Sequence, residues 1–234
     1  MSYSIAYEDE ALFEKACELA KFLNLPIDNH SKKQLLVTSQ GLFLKDPPFS
    51  PMSVNFNSEI WEKRKSEGSK QGLVRACKPR KDLYIIDATA GWGRDAAILA
   101  SFGAKVLMLE RNPIMGVLLE DALQRKTSNL NLHLKKQDAI AFLSSLSEAD
   151  FPDLIYLDPM HPLRQKSALV KKELQVLQQL VRPDKDVLKL IQVARTKILQ
   201  RVVVKWPQKL PSLLPPNSSV SGKTVRFDVY LPNH

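Results

Sequence analysis

The sequence predicts an α/β protein, a Rossmann-like, doubly wound sheet with an antiparallel last strand, joined to a small α+β N-terminal domain. Three observations carry this. From Leu83 onward, short apolar runs alternate with helical periods, the pattern of a parallel sheet with right-handed crossovers. Two of those runs stop at a carboxylate, Asp87 and Asp158, followed by a turn rich in glycine or proline. The closing stretch from Gly222 to Leu231 follows a proline-rich loop, Leu210 to Pro216, and no helix comes after it, as suits an antiparallel closing strand.

At 234 residues and 44% hydrophobic content, the chain holds one full α/β domain plus an appendage, and disorder throughout is excluded. Its 34 Lys and Arg against 25 Asp and Glu leave a net charge of +9. The cations are spread along the chain, which favours a polyanionic partner. Cys17 and Cys77 stand far apart and fit no ligand spacing, so they read as free thiols in a reducing compartment. The four histidines form no i,i+4 pair and no cluster with cysteine; the sequence offers no metal site. No apolar run approaches the ~20 residues that span a bilayer, and Met1 to Ile5 resembles no export signal. A soluble, cytoplasmic protein without a membrane partner is expected.

Taken in order, residues 10 to 23 place Leu12, Phe13, Ala16, Cys17, Leu19, Ala20 and Leu23 on one helical face, with Glu14, Lys15, Glu18 and Lys21 opposite. Gln34 to Thr38 and Leu42 to Lys45 flank Ser39-Gln40-Gly41 as a hairpin. Pro47, Pro48 and Pro51 then interrupt regular structure. Residues 1 to about 75 form the small domain, and 76 to 234 the Rossmann-like one. At the junction, Lys63, Arg64, Lys65 and Lys70 surround Gly68 and Gly72. Cations amid glycine and serine suit either a basic flap over a phosphate backbone or a solvated connection.

Strands are predicted at 83–87, 104–110, 130–135, 154–158 and 201–205, with helices beginning near Arg94, Pro113, Ala139, Ser167 and Asp184. Asn112 before Pro113 is a helix cap, and Gly103 a helix stop. Gly91-Trp92-Gly93-Arg94-Asp95-Ala96 fits G-x-G-x-x-A, in which glycine lets backbone approach a ligand at a helix N-terminus. Asp87, Glu110, Asp138 and Asp158 end four successive strands and reach one edge of the sheet. Aspartate in such places also caps turns and helices. A carboxylate-rich edge suits a ligand with ribose hydroxyls, an amine and positive charge, and suits a pyrophosphate poorly. That favours S-adenosylmethionine over a dinucleotide.

Asp158-Pro159-Met160-His161 carries the chemistry. An exocyclic amine on a base is a poor nucleophile because its lone pair is delocalised into the ring. Hydrogen-bond acceptors on its two hydrogens, here the Asp158 side chain and the Pro159 carbonyl, would hold the lone pair out of that plane for in-line attack. His161 would stack on the base or serve only as a polar turn residue. Arg164, Lys166 and Lys171 follow, placed either for phosphates or for the exposed face of a helix.

Asp87 to Ala96, Leu109 to Pro113, Tyr156 to Pro162, Gln165 to Glu173, and Gly222-Lys223 with Arg226 to Tyr230 together resemble the ribosomal small-subunit methyltransferase J family of bacteria. The resemblance covers about residue 35 to residue 231. It implies a class I S-adenosylmethionine-dependent methyltransferase acting on the exocyclic N2 of one guanosine near the 3′ end of 16S ribosomal RNA, with S-adenosylhomocysteine as product. Matching motifs puts cofactor contacts at Arg94, Asp95, Glu110, Arg111 and Asp158, and third-strand contacts at Gln137 and Asp138. Asp87, Gly91 and Gly93 join them through the glycine turn. The family carries phenylalanine or tyrosine where this chain has His161, and a glycine- and arginine-rich flap where it has Ser66 to Gly72. A nicotinamide-dependent oxidoreductase and a catalytically silent RNA-binding assembly protein are the alternatives; the first leaves the Asp158 turn and the net charge unexplained. An assembled or partly assembled particle is the expected substrate, since so small a chain offers little surface for picking out one guanosine.

Overall fold

The structure, a computed structural model, describes residues 3–57, 66, 68–160, 175–176, 180 and 186–233. Two sheets organise it. A three-stranded sheet is built from β1 (Ser4–Tyr7), β2 (Gln34–Thr38) and β3 (Gly41–Lys45). β1 runs parallel to β2, and β2 and β3 form the expected hairpin. Helix α1 (Phe13–Leu23) crosses from β1 to β2 and ends at Asn24 in the left-handed conformation.

Seven strands form the larger sheet: β4 (Tyr84–Asp87), β5 (Lys105–Leu109), β6 (Leu132–Lys135), β7 (Leu154–Leu157), β8 (Arg201–Pro207), β9 (Ser218–Ser221) and β10 (Val225–Tyr230). Their order is β6-β5-β4-β7-β8-β10-β9. The first five are parallel, and β10 is antiparallel to both β8 and β9. β4 lies between β5 and β7, so the chain order reverses there, and the crevice beyond the strand ends at such a switch point is where doubly wound sheets take ligands. The helices whose bounds the described residues define are, besides α1, α2 (Gly72–Cys77), α3 (Arg94–Ser101), α4 (Pro113–Gln124), α5 (Ala139–Ser144) and α6 (Val187–Arg195). Asn112 caps α4 as expected, accepting the N–H groups of Ile114 and Met115 at 3.0 and 3.1 Å. None of the described helices is long and apolar enough to cross a membrane.

The sheet is apolar on both faces because helices cover both. Strand alternation sends Ile85, Leu154, Tyr156, Val203 and Phe227 to the face covered by α3, α4 and the small sheet. Ile86, Ile155, Leu157, Val202, Val204 and Tyr230 go to the face covered by α5 and α6. The small sheet shares the first of these cores: Leu35, Leu44 and Phe56 belong to one cluster with Val106 and Leu119. Polar ties reinforce the junction. The buried Asp121 carboxylate of α4 accepts the Leu42 N–H at 3.1 Å and pairs with Arg125, whose guanidinium donates to the Val54 carbonyl.

Several sequence expectations are corrected. β1 and the edge strand β9 are strands that the sequence pattern does not predict. Residues 10–12 form a 3-10 turn before α1, and only Ala16 of α1 is fully buried. Phe13 is 45% exposed and meets the Tyr7 ring edge to face, because the short β1 leaves α1 little sheet to cover. The closing strand begins at Val225, after a turn at Gly222. The predicted helix starts at Ser167 and Asp184 lie outside the described residues.

Candidate active site

Alternation along β7 puts Leu154, Tyr156 and Asp158 on one face, and along β8 it puts Val203 and Lys205 on the same face. Since Leu157 pairs with Val204, Asp158, just past the end of β7, comes side by side with Lys205 within β8. Lys205 Nζ donates to Asp158 Oδ2 at 2.6 Å and to Asp95 Oδ2 at 3.1 Å. The Tyr156 hydroxyl donates to the same Asp95 oxygen at 2.6 Å. Asp87, on this face of β4, lies below them. The loops after β4 and β7 are stitched together: the Ala88 N–H donates to the Tyr156 carbonyl at 2.9 Å, and the Asp158 N–H donates to Thr89 Oγ1 at 2.6 Å.

Electrostatics follow from burial in a carboxylate cluster. Burial pushes the Asp87 carboxyl up to about 8; the Thr89 backbone N–H opposes this, and Asp95, Asp158 and Glu110 add to it. Burial also raises Asp158, the Lys205 ammonium pulls it back, and Asp95 pushes it up again. For Lys205 burial works against the charge, but Asp95 and Asp158 outweigh it and hold the ammonium well above its ordinary value.

Over the ends of β4 to β7 opens a cleft of about 590 Å³, partly open to solvent. Glu110, 6% exposed, is held on its wall by two backbone donors: Gly91 N–H at 3.0 Å and Asn112 N–H at 2.7 Å. Gly91 and Gly93 both take left-handed conformations, with φ of 52° and 68°, which lets the turn fold back over the sheet edge. Gly91, Glu110, Arg111, Gln137, Asp138 and Asp158 line the cleft together. Asp138 also caps α5, accepting the Ala141 N–H at 3.0 Å, so its capping and its place in the cleft coexist. Arg111 on the rim pairs with Asp138 at 3.7 Å and Asp186 at 3.4 Å.

Other sequence candidates fall elsewhere. Asp87, Gly93, Arg94 and Asp95 lie outside the cleft lining: Asp87 is sealed below the turn, Arg94 is exposed at the start of α3, and Asp95 turns toward Lys205 and Tyr156. Pro159 is buried and Lys70 exposed. His161, Lys63, Arg64, Lys65, Arg164, Lys166 and Lys171 lie outside the described residues. Sequence reasoning missed Lys205, Tyr156, Thr89 and Asp186. The signal for Lys205 was its phase, two residues after Val203 in a strand adjacent to the Asp158 strand.

The donor set fits S-adenosylmethionine. Glu110, Asp138 and Asp158 present acceptors for hydroxyls and an amine, and Ile140, Ala139 and Leu190 offer apolar walls for a flat ring. Among the described lining residues the cation, Arg111, is already tied to two carboxylates, so a pyrophosphate would meet net negative charge from them. Fold and cleft define a class I S-adenosylmethionine-dependent methyltransferase.

Comparison with known proteins makes this specific. The SAM-dependent methyltransferase family model SAM_MT matches residues 18–232. Ribosomal RNA small subunit methyltransferase J of Legionella pneumophila (strain Lens) is 56% identical over 98% of this chain and 96% of its own length. The protein of the same name from Thioalkalivibrio sulfidiphilus is 40% identical over 97% of each. The crystal structure of a SAM-dependent methyltransferase from Neisseria gonorrhoeae superposes with a TM-score of 0.73 at 28% identity, covering 99% of this chain and 96% of that one. The chain belongs to the ribosomal RNA small subunit methyltransferase J family, and its cofactor is S-adenosylmethionine. The oxidoreductase alternative falls with that membership.

Proposed function

We propose that this protein methylates the exocyclic N2 of a single guanosine near the 3′ end of 16S ribosomal RNA, acting on the small ribosomal subunit or a precursor particle in the cytoplasm. The relatives' shared name supports a small-subunit ribosomal RNA substrate. The observation that supports the amine as acceptor is the Asp158-Pro159 turn at the cleft, with the Asp158 backbone tied to Thr89 and its carboxylate oriented by Lys205.

The cofactor supplies a methyl group activated by its sulfonium. Asp158 accepts one amine hydrogen and the Pro159 carbonyl the other, which turns the nitrogen lone pair toward the methyl carbon. Transfer of that methyl group would leave the nitrogen strongly acidic. Asp158 then receives the proton it sheds and passes it to solvent. Glu110 and Asp138 hold the cofactor's polar groups, with Arg94, Asp95, Arg111 and Gln137 as further candidate contacts. His161 stacks on the base, and Lys63, Arg64, Lys65, Lys70, Arg164, Lys166 and Lys171 meet phosphates.

Asp158→Ala tests the reading. Transfer should fall about 100-fold or more, while RNA binding persists. Unchanged transfer would remove Asp158 from the chemistry; a wild-type protein that binds RNA and cofactor but transfers no methyl group would support a silent assembly factor instead.

A further inference from the structure

We propose that Lys205 is a positioning residue for methyl transfer: it clamps Asp158 by one oxygen and keeps it ionised, so that the other oxygen is ready to accept the amine hydrogen. This rests on the reading of Asp158 as that acceptor. Among the described residues, Asp158 Oδ2 is the oxygen bound by Lys205, at 2.6 Å, and Oδ1 is the one left for substrate. The clamp is anchored from behind, where Asp95 holds the same ammonium at 3.1 Å and is itself held by the Tyr156 hydroxyl at 2.6 Å. The Lys205 side chain is 26% exposed, with those of Asp95 and Asp158 at 23% and 38%. Water therefore screens this triad only in part.

Among the described residues, the titratable groups around Asp158 come from several elements. Lys205 approaches from β8, Asp95 from α3, Tyr156 from β7 and Asp87 from β4; Glu110 stands just past the end of β5, and Cys77 of α2 lies beyond Asp95 and Asp87. All but Lys205 are anionic or become so on losing a proton. Take the ammonium away and Asp95 and Asp158 become like charges in a half-buried site, which together retain a proton to higher pH. A protonated Asp158 offers a poorer acceptor and cannot take the proton leaving the nitrogen. Activity that needs ionised Asp158 is lost as pH falls through its pKa, so removing Lys205 moves that loss to higher pH.

The test is kcat for methyl transfer to small subunits across about pH 5 to 9, for the wild type, Lys205→Met, Lys205→Arg, Asp158→Ala and the double variant Lys205→Met/Asp95→Asn. Lys205→Met should move the acid limb up by about one unit or more, about a tenfold loss of kcat on that limb, with KM for the particle near wild type. Lys205→Arg should restore most of the profile. The double variant carries no second carboxylate beside Asp158, so it should return the limb toward wild type; Lys205→Gln, equally uncharged, stands in for Lys205→Met if that variant folds poorly and should raise the limb in the same way. An unmoved limb in Lys205→Met or in Lys205→Gln, with Asp158→Ala inactive, would overturn the role of Lys205 and leave that of Asp158 standing. Full activity in Asp158→Ala would overturn the acceptor reading and this inference with it.

Discussion

Replacing Asp87 with asparagine should stabilise the protein, and the gain should grow with pH. Asp87 is 1% exposed and accepts the Thr89 N–H at 3.1 Å, which one buried acceptor atom can do as well without a charge. Burial is the first cause of a carboxyl pushed from 3.8 up to about 8. Between those values the folded chain keeps a proton that the unfolded chain has released, so stability falls as pH rises through that window. At about 1.36 kcal/mol per unit, the interval sets a ceiling of about 5–6 kcal/mol; relaxation and water entry around a buried ion reduce it to about 2–4 kcal/mol. Asparagine keeps the size and the Oδ1 acceptor while removing the titration. Urea unfolding of both proteins at about pH 5, 7 and 8.5 measures the difference directly. The gain should be small at the lowest pH and largest at the highest. A difference that does not change with pH, or a loss of stability at the highest pH, would refute the assignment of burial as the dominant cause.

Two further variants probe the turn and the cleft. Gly93→Ala should destabilise by about 2–4 kcal/mol, since a left-handed residue with a side chain is strained and overpacking adds to that. The new Cβ would stand 2.8 Å from Phe56 and 3.0 Å from Leu119, and wild-type stability in urea would contradict the crowding. Glu110→Gln turns one acceptor into a donor facing a backbone N–H. It should weaken S-adenosylmethionine binding by about 10- to 100-fold in titration calorimetry, the worth of a charge-assisted hydrogen bond; unchanged affinity would take Glu110 out of the contact set.

Strands β4, β5 and β7 were legible because they are apolar on both faces and end at or just before a carboxylate, which places Asp87, Glu110 and Asp158 at one edge; Asp138 reaches the same edge as the cap of α5, three residues past the end of β6. Strand β1 was not, because Ser4-Ile5-Ala6-Tyr7 is too short to show a period of its own, and it is defined as a strand by pairing with β2. In β9 none of the four residues is buried, and nothing in Ser-Ser-Val-Ser marks a strand until β10 lies beside it. Lys205 was overlooked for a different reason. A lone cation at the end of Val202-Val203-Val204 reads as a solvated strand end, and only the register between β7 and β8 reveals that it faces Asp158. Likewise the four carboxylates looked equivalent, but depth below the turn separates Asp87, which is sealed off, from Glu110, Asp138 and Asp158, which line the cleft.

The most direct test is the identity of the methylated nucleoside. Small subunits from cells lacking the endogenous activity would be incubated with the protein and methyl-labelled S-adenosylmethionine, and the RNA digested to nucleosides for mass analysis. Label confined to N2-methylguanosine at one site is the predicted result, because two acceptors at Asp158 and Pro159 are of use only to an amine with two hydrogens. Label on a ring nitrogen or a ribose hydroxyl would contradict it.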